Sequence, residues 1–136
     1  MFINQKRIIV VILFLISVLS SACTPKYVLR DEFHSRVAGV TFENDDGVNR
    51  QDLLPKLNSG ANLELRLEPE NPHDENAVEI YSSAGKIGYI NRDLAVYIST
   101  LLADDVRVDV KVSEITGGGN GMYYGCNFKI EIYDKK

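Results

Sequence analysis

The sequence predicts a mainly β domain: a small closed barrel of about six strands with one clear helix and one short one, preceded by an N-terminal signal helix. Two patterns lead to this. Short runs alternate apolar and polar residues, most cleanly Leu63/Leu65/Leu67 against Glu64/Arg66/Glu68 and Val106/Val108/Val110/Val112 against Arg107/Asp109/Lys111. Gly-, Ser- and Asn-rich turn signals separate these runs, and many short strands joined by hairpins are most stable when the sheet closes on itself. The size agrees. The chain has 136 residues, 45% of them hydrophobic, enough for one core in a domain of ordinary length.

Residues 1–22 read as an export signal. Lys6 and Arg7 form a positive start, and Ile8 to Leu19 is an apolar run of 12 residues, shorter than the roughly 20 that a membrane span needs. Small residues Ser20, Ser21 and Ala22 lead directly into Cys23. This arrangement resembles a bacterial lipoprotein signal, which implies cleavage before Cys23 and a lipid on that cysteine. Ser20 stands where such signals usually carry leucine, with Leu19 one step early. Ordinary cleavage to a soluble periplasmic protein and an uncleaved anchor helix are the two alternatives. Thr24, rather than Asp, after the cysteine suits an outer-membrane destination in a cell with two membranes. Residues 23–35 are mixed in charge and without a clear period, and are expected to be a tether; His34 there reads as a solvated side chain.

The domain is expected over residues 36–134. Val37 to Phe42 is β-branched and reads as the first strand. Glu43 to Gly47 is a loop. Asn49 caps a short helical turn over Gln51 to Leu57, with Leu53, Leu54 and Leu57 on one side. Gly60 suits the turn that follows. Leu63 to Leu67 is a half-buried strand and Val78 to Ile80 another. Ser82 to Gly85 is a hairpin loop and Lys86 to Ile90 the returning strand. Asn91 caps a helix from about Arg92 to Ala103, which buries Leu94, Ile98, Leu101 and Leu102. Val106 to Val112 is a strand with one wet face. Thr116 to Gly121 is a flexible loop that leads into a strand, not a helix, which argues against a phosphate cradle. In the last strand, Met122 to Tyr133, Cys126 shares a side with Tyr124, Phe128, Ile130 and Ile132. It is therefore expected to be an inert buried thiol that does not bridge to Cys23.

Between two of the strands lies Glu68-Pro69-Glu70-Asn71-Pro72-His73-Asp74-Glu75-Asn76. Pro69 and Pro72 lock φ and bias the residues before them away from helix, while Asn71, Asp74 and Asn76 can bond nearby backbone. A stiff polar corner results, either a rigid connection or a recognition loop. An enzyme is hard to build here. No nucleophile setting, phosphate-loop lysine motif or zinc-helix motif occurs, and His73 and Asp74, adjacent in extended backbone, diverge too far for a metal pair. No metal or cofactor is expected.

In their order and spacing, Val37-Ala38-Gly39-Val40, Asn49-Arg50-Gln51, Leu65-Arg66-Leu67-Glu68-Pro69, Asn71 to Val78, Gly85 to Ile90 and Asp93-Leu94-Ala95 resemble the HIRAN domain family. The resemblance implies an OB-like barrel with two helices and a non-catalytic module that binds the 3′ end of single-stranded DNA. It further implies that Asn71 contacts the nucleic-acid backbone, His73 and Phe42 stack on bases, Asp74 accepts from the terminal hydroxyl and Arg92 meets a phosphate. Two positions depart from the DNA-binding members: Thr41 stands in place of arginine, and His73 in place of tyrosine. Charge adds a constraint. Removing residues 1–22, which hold two of the 15 basic residues and none of the 19 acidic ones, leaves a net charge of −6. Bulk charge therefore cannot hold DNA, and a local basic strip is required. The other function compatible with export is an envelope lipoprotein that binds a protein, a glycan or a small polar ligand through the same face. Full-length protein made in a bacterial host should take up a labelled fatty acid, and Cys23→Ser should abolish the label. Label retained by the variant would refute lipidation at Cys23.

Overall fold

The computed structural model describes residues 26–136, so the signal segment, Cys23 and Thr24 lie outside the described residues. Six strands and two short helices follow in the order β1 Tyr27–Arg36, α1 Arg50–Leu53 with a 3-10 turn Leu54–Lys56, β2 Asn62–Leu67, β3 Val78–Ser82, β4 Gly85–Tyr89, α2 Arg92–Ala103, β5 Arg107–Thr116 and β6 Gly125–Lys135. The strands form a six-stranded sheet of order β1-β6-β5-β2-β3-β4, and every pair in it is antiparallel.

The sheet bends because β2 serves both of its halves. Asn62 and Leu63 pair with β5, and Glu64 to Leu67 pair with β3. It closes at the residues that follow β1. The Val37 amide still donates to Cys126 of β6 (2.9 Å), but Ala38 has moved across to β4. There the Ala38 and Tyr89 main chains exchange two hydrogen bonds of 2.8 and 2.9 Å. Gly88 makes this approach possible: a Cβ on it would sit 2.3 Å from the Ala38 carbonyl oxygen. Phe128, Ile130, Ile132 and Cys126 of β6 fill the interior with Ile80, Ile87, Val110, Val112 and Leu54, as period-two alternation requires. The α2 helix adds Ala95, Ile98 and Leu101 to this core, and Asn91 caps it by accepting from the Leu94 amide at 3.0 Å. Burial alone pushes the Cys126 thiol up to about 11, so it stays protonated and inert at neutral pH.

Two expectations fail at the start of the domain. The first strand is not Val37 to Phe42, and residues 27–35 are not a tether. Tyr27–Arg36 is a full strand, paired with β6 from Tyr27↔Lys135 to Arg36↔Asn127. It is an edge strand whose residues are mostly exposed, so no apolar alternation marks it in the sequence. Distant β6 recruits it, which local propensity does not reveal. Val37 to Phe42 has the strand composition but turns instead, since Gly39 adopts φ +73° and ends the extended run. The last strand begins at Gly125, three residues later than the composition suggests.

The closure should tolerate no side chain at Gly88. Gly88→Ala is expected to lower the unfolding free energy by ~2–4 kcal/mol, from overpacking and backbone strain together. Gly47→Ala, where nothing lies within 4 Å of the added Cβ, should cost only about 1 kcal/mol. Urea titration of the two variants tests the contrast.

Candidate functional site

The polar corner is built by its own side chains. The Asn71 amide oxygen accepts from the His73 and Asp74 amides at 2.9 and 3.1 Å, and its NH2 donates to Glu68 Oε2 at 2.9 Å. Asp74 Oδ1 accepts from the Asn76 amide at 2.9 Å, and the Glu68 and Ala77 main chains join across the base at 3.0 Å. Asn71 therefore braces the turn, and its carbonyl oxygen is fully engaged there. Its NH2 makes one hydrogen bond among the described residues, to Glu68, and Asn71 also lines the cleft beside the corner, so it positions the two residues that follow and keeps a donor on the cleft side.

A cleft of about 450 Å³ opens beside this corner, lined by Asn71, His73, Asp74, Phe42, Arg92, Ala38, Gly39, Arg50, Ala77, Tyr89 and Ile90. All five residues singled out from the sequence thus meet at one place, although Phe42 and Arg92 lie far from the corner in the chain. Phe42 presents a ring 66% exposed at the rim, where the tight turn after Gly39 delivers it. Arg92, at the first position of α2, donates to the His73 carbonyl at 3.1 Å. Its Nε lies 3.9 Å from Asp74 Oδ2, and its side chain is 74% exposed, so the ion pair is loose and solvent-screened. Asp74 Oδ2 faces the cleft edge with no closer cationic partner among the described residues.

Sequence reasoning missed the floor. Arg50 is buried, donating from Nε to Asn44 Oδ1 at 2.7 Å and from a terminal nitrogen to the Gly39 carbonyl at 2.8 Å. It also lies 5.4 Å from the Tyr89 ring centre. A signal for it existed: a cation in the first turn of a helix opposes the macrodipole and so is placed there for another reason. Neighbouring Gln51 ties two loops together, donating to the Val40 and Tyr124 carbonyls at 2.9 and 3.0 Å and accepting from the Tyr124 amide at 2.7 Å.

Two guanidinium groups against one carboxylate make the cleft lining locally positive, in a chain whose formal net charge is −4. Behind it, Lys86 bridges Glu79 and the Tyr89 hydroxyl. Burial is the largest influence on Glu68 and pushes its carboxyl upward. Hydrogen bonds from Asn71 and Tyr89, with the charges of Lys86 and Arg50, outweigh it and hold Glu68 below the ordinary value of 4.5. Burial likewise pulls Lys86 down, but its hydrogen bonds to Glu79 and Tyr89 raise it overall. Among the described residues no group of three or more His, Cys, Asp or Glu is arranged to hold a metal ion.

An antiparallel barrel with this strand order, which carries an aromatic, charged cleft beside its seam, is an OB-like domain. More narrowly, the chain belongs to the HIRAN domain family, whose profile matches residues 32–133. The fold is similar to the crystal structure of the HIRAN domain of human HLTF, with TM-score 0.62, 20% identity and 81% of each chain covered. It is similar to a Lactobacillus plantarum protein, with TM-score 0.56, 22% identity, and 79% of this chain and 99% of that one covered. It is also similar to the HLTF HIRAN domain in its DNA-bound conformation, with TM-score 0.55, 18% identity, and 82% and 81% covered. No curated protein matches the chain.

The low value of Glu68 sets an acid limit on the corner. Its folded form ionises below the unfolded value of 4.5, so the unfolded chain binds more protons in between. The stabilisation is complete above that value and is lost as pH falls through the folded one. Urea unfolding of wild type should therefore steepen in its loss of stability below about pH 4.5, and Glu68→Gln should flatten that limb. An unchanged limb would show that Asn71 holds the corner without the Glu68 charge.

Proposed function

We infer that the cleft holds the 3′ end of a single-stranded nucleic acid, as a non-catalytic recognition module, and that the domain is exported and held at a membrane through Cys23. The observation that carries this reading is the convergence of Phe42, His73, Asp74 and Arg92 on one locally positive cleft. The HLTF domain to which the fold is similar was solved in a DNA-bound conformation, which supports it.

The chemistry is coherent. The exposed Phe42 ring offers a stacking face, worth roughly 1–3 kcal/mol per base and indifferent to sequence. His73 supplies a second, smaller ring. Asp74 accepts a hydrogen bond from a free 3′ hydroxyl through Oδ2, whereas a phosphate at that place would be repelled. Selection of an end over a chain interior follows. Arg92 is tethered only loosely to Asp74 and is free to swing to a phosphate. Arg50 stays on the floor, where it holds Gly39 in place and adds positive potential. Asn71 fixes the two residues that touch the ligand.

The acidic balance of the chain favours a second reading, in which the same cleft takes a protein segment, a glycan or another small polar ligand at the cell envelope. Oligonucleotides with a 3′ hydroxyl or a 3′ phosphate separate the two. Binding by fluorescence anisotropy should be strong for the hydroxyl form, and 3′ phosphorylation or Asp74→Ala should abolish it. Phe42→Ala should weaken it by about tenfold or more, and Arg92→Ala should reduce the salt dependence by about one phosphate contact. No binding of any oligonucleotide at low salt would remove the nucleic-acid reading.

A further inference from the structure

The end of the barrel farthest from the cleft carries a different surface. The starts of β1 and β5 meet the end of β6 there, and the Lys136 amide donates to the Lys26 carbonyl at 2.9 Å. Register places Tyr27 opposite Lys135 and Leu29 opposite Tyr133, with Arg107 opposite Tyr133 from the other side. Ile132 and Ile130 point inward, so alternation puts Tyr133 and its cross-strand partners Leu29 and Arg107 on the outer face. The Arg107 guanidinium sits between two rings, 4.9 Å from the centre of Tyr27 and 4.8 Å from that of Tyr133. Leu29 and Val28 are 48% and 41% exposed. Arg30 is paired with Asp134 and Arg107 with Asp109. Lys26, Lys135 and Lys136 make no ion pair among the described residues, but the exposed carboxylates of Asp104 and Asp105 share this surface with Tyr27, Arg107, Tyr133 and Lys135, so its charge is mixed.

We propose that this strand-end platform rests on the bilayer, with its tyrosines and exposed apolar side chains at headgroup depth. The proposal rests on the membrane-anchored reading of Cys23, and chain length makes the contact compulsory. Only four residue steps separate Cys23 from Tyr27, a reach of at most ~14 Å. No long tether remains, because the segment expected to be one is strand β1. An uncleaved apolar segment ending at Leu19 would leave eight residue steps to Tyr27, a reach of at most ~28 Å.

Tyrosines favour the water–lipid boundary, and the lysines and the carboxylates of Asp104 and Asp105 offset one another there, so the apolar and aromatic side chains carry the contact. The consequence for the cleft is geometric. β1 has 10 residues and so spans about 30 Å, and the cleft residues Ala38 and Gly39 come directly after it. The strand is a rigid post, anchored at one end, which carries the ligand cleft at the other and turns it away from the membrane.

The chain contains no tryptophan, so single tryptophans report position without background. Full-length protein with Leu29→Trp, and separately with Asp45→Trp in the exposed loop beside Phe42, is placed in vesicles of phosphatidylethanolamine and phosphatidylglycerol with brominated acyl chains. The expected result is a blue shift and strong quenching at position 29 and neither at position 45, with little change when phosphatidylcholine replaces the phosphatidylglycerol. Tyr27→Trp, on the same face of β1 as Leu29, should behave as Leu29→Trp does. Protein that stays with the vesicles but is quenched equally at both positions, or at neither, overturns the platform and leaves the anchor intact. Protein released from the vesicles overturns both.

Discussion

The structure depends on one contact, the pair of hydrogen bonds by which Ala38 and Tyr89 close the sheet. Without it β4 would be an open edge next to β3, and the segment after β1 would have no reason to turn where it does. With it, Gly39 to Phe42 is held against the polar corner and the barrel's seam becomes one wall of a cleft. Gly88 permits the approach because it offers no Cβ to the Ala38 carbonyl. Closure and site are therefore one feature: the backbone contact that joins the two ends of the sheet also carries Phe42 to the rim, with Arg50 beneath it.

The corner opposite is rigid for a separate reason. Two prolines and the Asn71 amide fix its backbone locally, so its shape owes little to the rest of the fold. The cleft joins a self-braced loop to a wall set by long-range closure. Such a site changes little on binding, which keeps the ordering cost of a ligand low. Its only loosely held charge is Arg92, which stands at the rim, where a mobile cation suits a phosphate of variable position.

Much of this was legible beforehand because the physics is short-range. The alternation over Leu63 to Leu67 and Val106 to Val112, the Asn49 and Asn91 caps and the inward Cys126 are each written within a few residues, and each appears as expected. Strand β1 was not legible. It is a charged, largely exposed edge whose stability comes from β6, about a hundred residues away, and nothing in Tyr27 to Arg36 taken alone favours a strand over a tether. Val37 to Phe42 misled for the converse reason: β-branched composition marked a strand where one glycine φ imposes a turn. Arg50 was visible only as an oddity of helix electrostatics, since its partners Asn44, Gly39 and Tyr89 come from three separate segments.

The sequence by itself determined the period of the strands, the two helix caps and the proline-stiffened corner with Asn71, His73 and Asp74 on it, because propensity, alternation and turn chemistry act between near neighbours. Only the tertiary structure decided that β1 belongs to the barrel, that Phe42 and Arg92 stand beside the corner, that the Asn71 oxygen is spent on its own backbone, and that Tyr27 and the cleft lie at opposite ends of one strand. Those outcomes follow from pairing between residues distant in the chain, and an alternating pattern states which face of a strand is buried without saying against what.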